Sequence, residues 1–165
     1  AFIVWGSLGD TTTIMHWMQA VPFFSPFNRN ELEKLASDQR YFYKYSEGDK
    51  IIEEGQTDVS FHVLLKGAVR ITKTAQNREV LINKLKEGSV FGELSILRKG
   101  KRTSTVIADA MSITMSIKPK NMDDWNVHLQ NKFRDQLLKV VLKRFEVIDN
   151  KHVKALCKLP PEEQE

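Results

Sequence analysis

The spacing of hydrophobic and polar positions divides the chain into a helical beginning, a β-rich middle and a helical end. In residues 11–20 the apolar positions recur as in a short helix. We expect this helix to end before Pro22, because proline disfavours helix in the residue that precedes it. A second helix is predicted after Asn28, which has the N-x-x-E spacing of a capping box with Glu31. Residues 1–40 are therefore predicted to form an N-terminal helical segment.

Residues 41–118 are predicted to form an antiparallel β domain, because glycines interrupt short β-rich runs at intervals of roughly 4 to 21 residues. In the run Met111–Lys118, apolar and polar side chains alternate, which predicts a strand with two different faces. The runs F-H-V-L-L-K and A-V-R-I-T-K, on either side of Gly67, are interpreted as a hairpin pair. Asn77 marks the next turn, and E-V-L-I-N-K-L follows as another strand.

After Pro119 the apolar positions recur at steps of three or four residues, as on one face of a helix. The residues of this stripe are Trp125, Leu129, Phe133, Leu137, Val141, Phe145 and Ile148. We expect one long amphipathic helix ending near Asp149-Asn150, a short basic helix to Lys158, and a frayed tail over 159–165. The C-terminal helices then occupy residues 119–158. The predicted fold class is mainly β with flanking α, an antiparallel β jelly-roll barrel between N-terminal and C-terminal helices.

Composition narrows the class of protein. A chain of 165 residues, 41% hydrophobic and 28% charged, is typical of one soluble globular domain. The single cysteine, Cys157, excludes an internal disulfide and fits a reducing compartment, so we expect a cytoplasmic protein. The longest apolar runs are far shorter than the ~20 residues that span a bilayer, and no signal peptide is evident. A net charge of +4 permits an anionic partner.

The sequence gives little support to catalysis. The four histidines, His16, His62, His128 and His152, lack the spacing of metal ligands. There is no G-x-S-x-G motif and no glycine-rich phosphate loop of the G-K-[ST] type. We therefore expect a binding protein without a metal or a cofactor, and not an enzyme.

The segment V-F-G-E-L-S-I-L-R-K-G-K-R-T-S-T-V, residues 90–106, is best explained by binding of an anionic ligand. Gly92 allows a ligand to approach the backbone, and Gly92 to Ser95 are predicted to begin a one-turn helix. Arg102 offers a planar fork for phosphate oxygens, and the hydroxyl of Thr103 offers a further donor. The Glu93 carboxylate accepts hydrogen bonds from ligand hydroxyls.

A structural alternative exists for the same residues, because Glu93 and Arg102 taken as an isolated pair suit a salt bridge across a hairpin. The order of the surrounding residues favours the ligand. Arg98, Lys99 and Lys101 are interpreted as a solvated turn.

The run F-G-E-L-S-I-L-x5-R-T-S-T-V resembles the phosphate-binding cassette of cyclic nucleotide-binding domains, here residues 91–106. Such domains occur in bacterial catabolite activator proteins, in regulatory subunits of cyclic-AMP-dependent kinase and in cyclic-nucleotide-gated channels. The resemblance implies that Glu93 bonds the ribose 2'-hydroxyl and that Arg102 and Thr103 bond the cyclic phosphate. It implies that backbone N–H groups complete the cradle, at Gly92, Leu94 and Ser95.

The resemblance also implies a sensor whose C-terminal helix acts as a lid over cAMP or cGMP. Residues that cap the base are expected near Lys143, Arg144, Val147 and Ile148. The helix is also a candidate for homodimerisation. The resemblance also leaves cyclic GMP as a possible ligand, because the hydroxyl of a threonine at position 103 can reach the guanine.

Two alternatives carry the same fold. One is an interaction module that holds no nucleotide, and the other is a sensor of a different small ligand such as a heme or an organic acid. After Ile148 only 17 residues remain, too few for the helix-turn-helix of the activators, so we expect no DNA-binding domain in this chain.

Overall fold

The computed structural model describes residues 11–98 and 100–157. In chain order the elements are α1 (Thr11–Gln19), α2 (Arg29–Ala36), β1 (Phe42–Tyr45), β2 (Lys50–Ile52), β3 (Phe61–Lys66), β4 (Ala68–Ala75), β5 (Arg78–Lys86), β6 (Val90–Phe91), α3 (Leu94–Leu97), β7 (Thr105–Ala108), β8 (Ser112–Ile117) and α4 (Val127–Cys157). Three short 3-10 turns lie between these elements, at Pro22–Phe24, Gln39–Tyr41 and Pro119–Asp124. The predicted class, mainly β with flanking α, is confirmed.

The strands form two four-stranded antiparallel sheets, in the orders β1-β8-β3-β6 and β2-β7-β4-β5. A buried cluster joins them, with Leu64 and Phe91 from the first sheet packed against Val69 and Val106 from the second. The two sheets therefore face each other as in a jelly roll. They form a sandwich and do not close edge to edge into the expected barrel.

The interpretation of β3 and β4 as a hairpin pair is wrong. β3 pairs with β6 and β8, whereas β4 pairs with β5 and β7. Gly67, with a φ of +98°, stands where the chain crosses from one sheet to the other. The hairpin is instead β4–β5, closed by Gln76 and Asn77, whose φ angles of 52° and 61° suit a type I′ turn. Alternating polarity cannot distinguish a hairpin from a corner between two sheets, because each strand keeps one core-facing side in both.

Helix α2 begins as predicted. The Asn28 side chain accepts the Glu31 N–H at 2.9 Å, and the Glu31 carboxylate accepts the Asn28 N–H at 3.0 Å, which is the reciprocal capping box. The Glu31 carboxylate also pairs with Lys132 of α4 at 2.5 Å. The cap therefore connects the N-terminal helices to the C-terminal helix.

An aromatic cluster fixes the beginning of α4 against the outer face of the first sheet. The centroid of the Phe133 ring lies 5.2 Å from that of Phe23, 5.4 Å from that of Phe61 and 4.7 Å from that of Trp125. Trp125 Nε1 donates to the Tyr41 hydroxyl at 2.9 Å. Aromatic contacts of this kind add about 0.5–1.5 kcal/mol each to the free energy of burial. The first half of α4 is therefore held firmly by the sandwich.

The predicted apolar stripe of α4 is buried as far as the structure describes its side chains, at Leu129, Phe133, Leu137 and Val141. The side chains of Phe145 and Ile148 lie outside the described part. The predicted end near Asp149-Asn150 and the separate basic helix are wrong, because α4 is one helix of 31 residues. No proline or glycine stands there, and Asp or Asn inside a helix costs no more than about 0.7 kcal/mol relative to alanine. Across the described ranges, no helix has the length and apolar character needed to cross a membrane.

Gly67→Ala is expected to destabilise the fold strongly. An added Cβ would lie 2.3 Å from Ser112 Oγ and 2.6 Å from the Met111 carbonyl oxygen, in addition to the strained φ. The matched control is Gly48→Ala, because Gly48 has a φ of +90° but no atom within 4 Å of its Cβ position. The two variants should differ by about 1–3 kcal/mol in the free energy of unfolding, the usual cost of overpacking. Urea unfolding measures this difference, and equal losses of stability would contradict it.

Candidate functional site

A cavity of about 120 Å³ with an open mouth lies beside α3 and the second sheet. Ile52, Ile71 and Val106 supply an apolar wall. All six residues predicted to bind the ligand border it: Gly92, Glu93, Leu94, Ser95, Arg102 and Thr103. The cavity thus has an apolar side for a ring and a polar side for charged or hydroxylated groups.

Gly92 lets three parts of the site approach one another. Its φ is +80°, and an added Cβ would lie 3.0 Å from Ile52 Cδ1, 3.0 Å from the Ser60 carbonyl oxygen and 3.2 Å from Arg102 Nη1. The Gly92 carbonyl oxygen accepts a hydrogen bond from Arg102 Nη1 at 3.0 Å. A side chain at this position would therefore push the arginine away from the turn.

Arg102 is buried and held on three sides. Its Nε and Nη2 donate to the two carboxylate oxygens of Asp58 at 3.2 Å and 2.9 Å. Nη2 also contacts the carbonyl and hydroxyl oxygens of Ser60, at 3.0 Å and 2.9 Å. The Arg102 backbone is paired as well, since its N–H donates to Gln56 O and its carbonyl accepts from Gly55 N. The guanidinium is consequently fixed in one orientation.

Sequence reasoning missed Asp58 and Ser60, which orient Arg102. Both precede β3 and lie 44 and 42 residues from Arg102 in the chain, so no local pattern connected them to the cassette. The hydrogen bond from Arg102 holds the pKa of the Asp58 carboxyl below its usual range. Asp58 is therefore a charged partner at neutral pH.

Glu93 has the most unusual environment in the site. Its side chain is 0% exposed, and within the described residues neither carboxylate oxygen accepts a well-aligned hydrogen bond. Arg144 Nη1 lies 2.8 Å from Glu93 Oε1, an ion pair in which the N–H is not directed at the oxygen. Burial raises the pKa of the Glu93 carboxyl, and the positive charges of Arg144 and Arg102 offset this only in part.

The alternative in which Glu93 pairs with Arg102 is wrong, because each has a different partner. Glu93 pairs with Arg144 of α4, and Arg102 pairs with Asp58. The short spacing between Glu93 and Arg102 suggested that they pair with each other. Their actual partners, Arg144 and Asp58, come from distant parts of the chain.

Of the four predicted lid residues, Arg144 borders the cavity, and its Nη2 also donates to Val90 O at 2.7 Å. Lys143 is exposed and does not line the cavity. The backbone of Val147 and Ile148 is part of α4, but their side chains lie outside the described part. Helix α4 therefore reaches the cavity at Arg144.

Ser95 makes hydrogen bonds to the backbone of two neighbouring segments. Its N–H donates to Gly92 O at 3.2 Å. Its hydroxyl lies 3.0 Å from Ser60 O and 2.8 Å from Gly92 O, and it accepts the Ser60 N–H at 3.2 Å. Since a hydroxyl has one proton, it donates to one carbonyl at a time. Ser95 thus ties the short helix α3 to the beginning of β3.

The remaining cations of the cassette lie at the rim. Arg98 and Lys101 are exposed, as a solvated turn requires, yet both border the cavity; Lys99 lies outside the described residues. Among the described side chains, no group of three or more His, Cys, Asp or Glu residues is placed to hold a metal ion.

Comparison with known proteins agrees with this geometry. Residues 42–125 match the family model of the cyclic nucleotide-binding domain. The chain is 33% identical over 92 residues to a cAMP-dependent protein kinase regulatory subunit of Mycosarcoma maydis, covering 56% of this chain and 17% of that protein. It is 28% identical over 96 residues to human cGMP-dependent protein kinase 2, covering 57% of this chain and 12% of that protein. The chain therefore spans less than a fifth of the length of these relatives.

Two solved structures share the fold. One is a cyclic nucleotide-binding domain from Methylobacillus flagellatus, with a TM-score of 0.69, 20% identity and coverage of 88% of this chain and 83% of that one. The other is the Thermus thermophilus catabolite activator protein, with a TM-score of 0.68, 20% identity and coverage of 82% and 63%. The cassette, the jelly-roll sandwich and the family match lead to one conclusion: the chain belongs to the cyclic nucleotide-binding domain family.

Proposed function

We propose that this domain is a sensor that binds cAMP or cGMP in the cavity and transmits the signal through α4. The observation that carries the proposal is the Glu93 carboxylate, which is fully buried and accepts no well-aligned hydrogen bond from any other described residue. A buried charge without hydrogen bonds costs free energy, and a sugar hydroxyl would supply the donor. Glu93 is therefore suited to receive the ribose.

Arg102 would receive the cyclic phosphate. A guanidinium has five N–H groups, and Asp58 and Ser60 take those of Nε and Nη2 while Gly92 O takes one of Nη1. One N–H of Nη1 remains for a phosphate oxygen. Because the group is already fixed, binding costs little additional side-chain entropy.

Other donors of the cradle are proposed from the cassette. The hydroxyl of Thr103 lies at the cavity beside Arg102, and it would donate to the phosphate or reach a guanine. The backbone N–H groups of Gly92 and Leu94 would complete the contacts. Ser95 would contribute its N–H only after releasing Gly92 O.

Arg144 gives the ligand a way to act on α4. A ribose hydroxyl that donates to Glu93 competes with Arg144 for the same carboxylate. A ligand shifts a conformational equilibrium only if it binds the two arrangements with different affinity. This competition provides such a difference, and it favours positions of α4 in which the ion pair is broken. Lys143, Val147 and Ile148 remain proposed contacts of the base in the closed lid.

A homodimer through α4 is part of the proposal. Leu138 and Leu142 are 56% and 53% exposed and lie one turn apart. Leucines at this spacing are suited to packing against a second helix.

A second candidate is an interaction module that binds no nucleotide. The observation in its favour is that Arg102 and Glu93 both have charged partners within the protein. Calorimetric titration with cAMP and cGMP distinguishes the candidates, since the interaction module should show no heat and no thermal stabilisation.

Arg102→Ala is expected to weaken cyclic nucleotide binding by about tenfold to a hundredfold or more, because charged hydrogen bonds contribute about 1.5–3 kcal/mol each. Glu93→Gln should also weaken binding, since a neutral amide accepts a hydroxyl less strongly than a carboxylate. Isothermal titration calorimetry with both nucleotides measures the losses. The matched control is Arg134→Ala on the exposed face of α4, which should bind like the wild type. Unchanged affinity in Arg102→Ala would refute the assignment.

Affinity is expected to fall as the pH is lowered through the raised pKa of Glu93. The pKa of Glu93 is raised by burial, so the protein takes up a proton there at a higher pH than an ordinary glutamate does. A hydroxyl donated by the ligand favours the carboxylate, so binding releases that proton and weakens at low pH. Asp58, whose pKa is lowered, titrates only in more acidic solution. Titrations between neutral and acidic pH should show this slope in the wild type and lose it in Glu93→Gln; an equal slope in both would assign it to another group.

Arg144→Gln is expected to increase the affinity severalfold, because it removes the cation that competes with the ligand for Glu93. Lys139→Gln on the same helix is the matched control, since Lys139 is exposed and does not border the cavity. Calorimetry on both variants measures the effect. Weaker binding in Arg144→Gln alone would mean that Arg144 holds the ligand instead of competing with it.

A further inference from the structure

His62 is the second residue of β3 and does not border the cavity. It stands opposite Phe91 of β6 on one side and opposite Ser116 of β8 on the other. The side chain is buried. Neither the proposed ribose contact nor the proposed phosphate contact uses it.

Both nitrogens of the His62 ring have partners. Nδ1 lies 2.5 Å from Ser116 Oγ, and Nε2 lies 3.2 Å from Ser60 Oγ. The ring also stacks on Phe91, with centroids 5.1 Å apart and planes inclined by 15°. Phe91 directly precedes Gly92, so the face of the His62 ring contacts the beginning of the cassette, and His62 Nε2 contacts Ser60.

The contact between His62 Nε2 and Ser60 Oγ links His62 to Arg102, because the same hydroxyl also contacts the guanidinium. Ser60 Oγ accepts the N–H of Arg102 Nη2 at 2.9 Å, and it lies 3.2 Å from Asp58 Oδ2. A hydroxyl has one proton and two lone pairs, so three neighbours fix its direction. His62 is the third of these neighbours, with its Nε2 3.2 Å from the hydroxyl oxygen.

The imidazole has a constant charge. Burial, aided by the positive charge of Arg102, lowers the pKa of His62 to about 3, although Asp58 acts in the opposite direction. The other groups facing the ring, Ser60, Ser116 and Phe91, do not titrate in this range. At neutral pH the ring is therefore neutral, with one nitrogen donating and the other accepting.

We propose that His62 is a positioning residue for nucleotide binding: it orients Ser60, and through Ser60 the Arg102 guanidinium, while its stacked ring holds Phe91 and the Gly92 turn in place. This inference rests on the proposed function of the cavity. Ser116 anchors the ring from the opposite side, so that Ser116, His62, Ser60 and Arg102 form one hydrogen-bonded series across β8, β3 and the cassette.

The test uses His62→Phe, which keeps the stacked ring and removes both hydrogen bonds. Its affinity for cAMP or cGMP should fall on the order of tenfold, the usual effect of one buried hydrogen bond. His62→Gln, whose amide can still reach Ser60, should recover part of the affinity, and it replaces His62→Phe if that variant does not fold. The matched control is His128→Phe, at an exposed histidine of α4, which should bind like the wild type.

A double-mutant cycle separates positioning from general stability. If His62 acts through Ser60, then His62→Phe should have little further effect on affinity in a Ser60→Ala background. The same loss in both backgrounds, or wild-type affinity in His62→Phe, would overturn the inference while leaving the nucleotide site intact.

A measurement without ligand completes the test. The Hε proton of Arg102 should exchange with water more rapidly in His62→Phe than in the wild type or in His128→Phe, as followed by ¹⁵N NMR. If the wild type shows no affinity for either nucleotide, the proposed function fails, and this exchange rate alone decides whether His62 orients Arg102. An unchanged rate would overturn the positioning role.

Discussion

The fixed orientation of Arg102 is the interaction on which the rest of the site depends. A guanidinium taken out of water needs acceptors for nearly all of its N–H groups, and here they come from Asp58, Ser60 and Gly92. These acceptors belong to the turn before β3 and to the turn after β6, so the arginine connects two segments that are distant in the sequence. These hydrogen bonds therefore offset the free-energy cost of burying the Arg102 charge, and they also hold the wall of the cavity in place.

Glu93 contrasts with Arg102 in how its charge is accommodated. The arginine is saturated with aligned hydrogen bonds, whereas the carboxylate has one cationic neighbour and no aligned donor. Two buried groups of opposite charge thus border one cavity without neutralising each other. One is rigid and nearly satisfied, and the other is available for a new donor. That asymmetry suits a ligand with an anionic end and a hydroxylated end.

Much of the fold and part of the site could be predicted, because the signals are local. The cap at Asn28, the stripe from Leu129 to Val141 and the cassette from Gly92 to Thr103 are all patterns within about a dozen residues or repeats of one period. The pairing of Arg102 with Asp58 and of Glu93 with Arg144 could not be predicted in this way. Asp58 is 44 residues from Arg102 in the chain, and no pattern in one sequence links them. The sequence also failed to predict that β3 and β4 lie in different sheets. Alternating polar and apolar residues show which face of a strand is buried, but they do not show which strands it pairs with.

The continuity of α4 gives it the mechanics of a lever. The aromatic cluster at Phe133 is a fixed fulcrum, and at 1.5 Å of rise per residue Arg144 lies about 16 Å and Cys157 about 36 Å beyond it. A rigid rod that tilts about Phe133 moves its far end roughly twice as far as it moves at the ion pair. A displacement of atomic size at Glu93 would thus be amplified at the end of the helix.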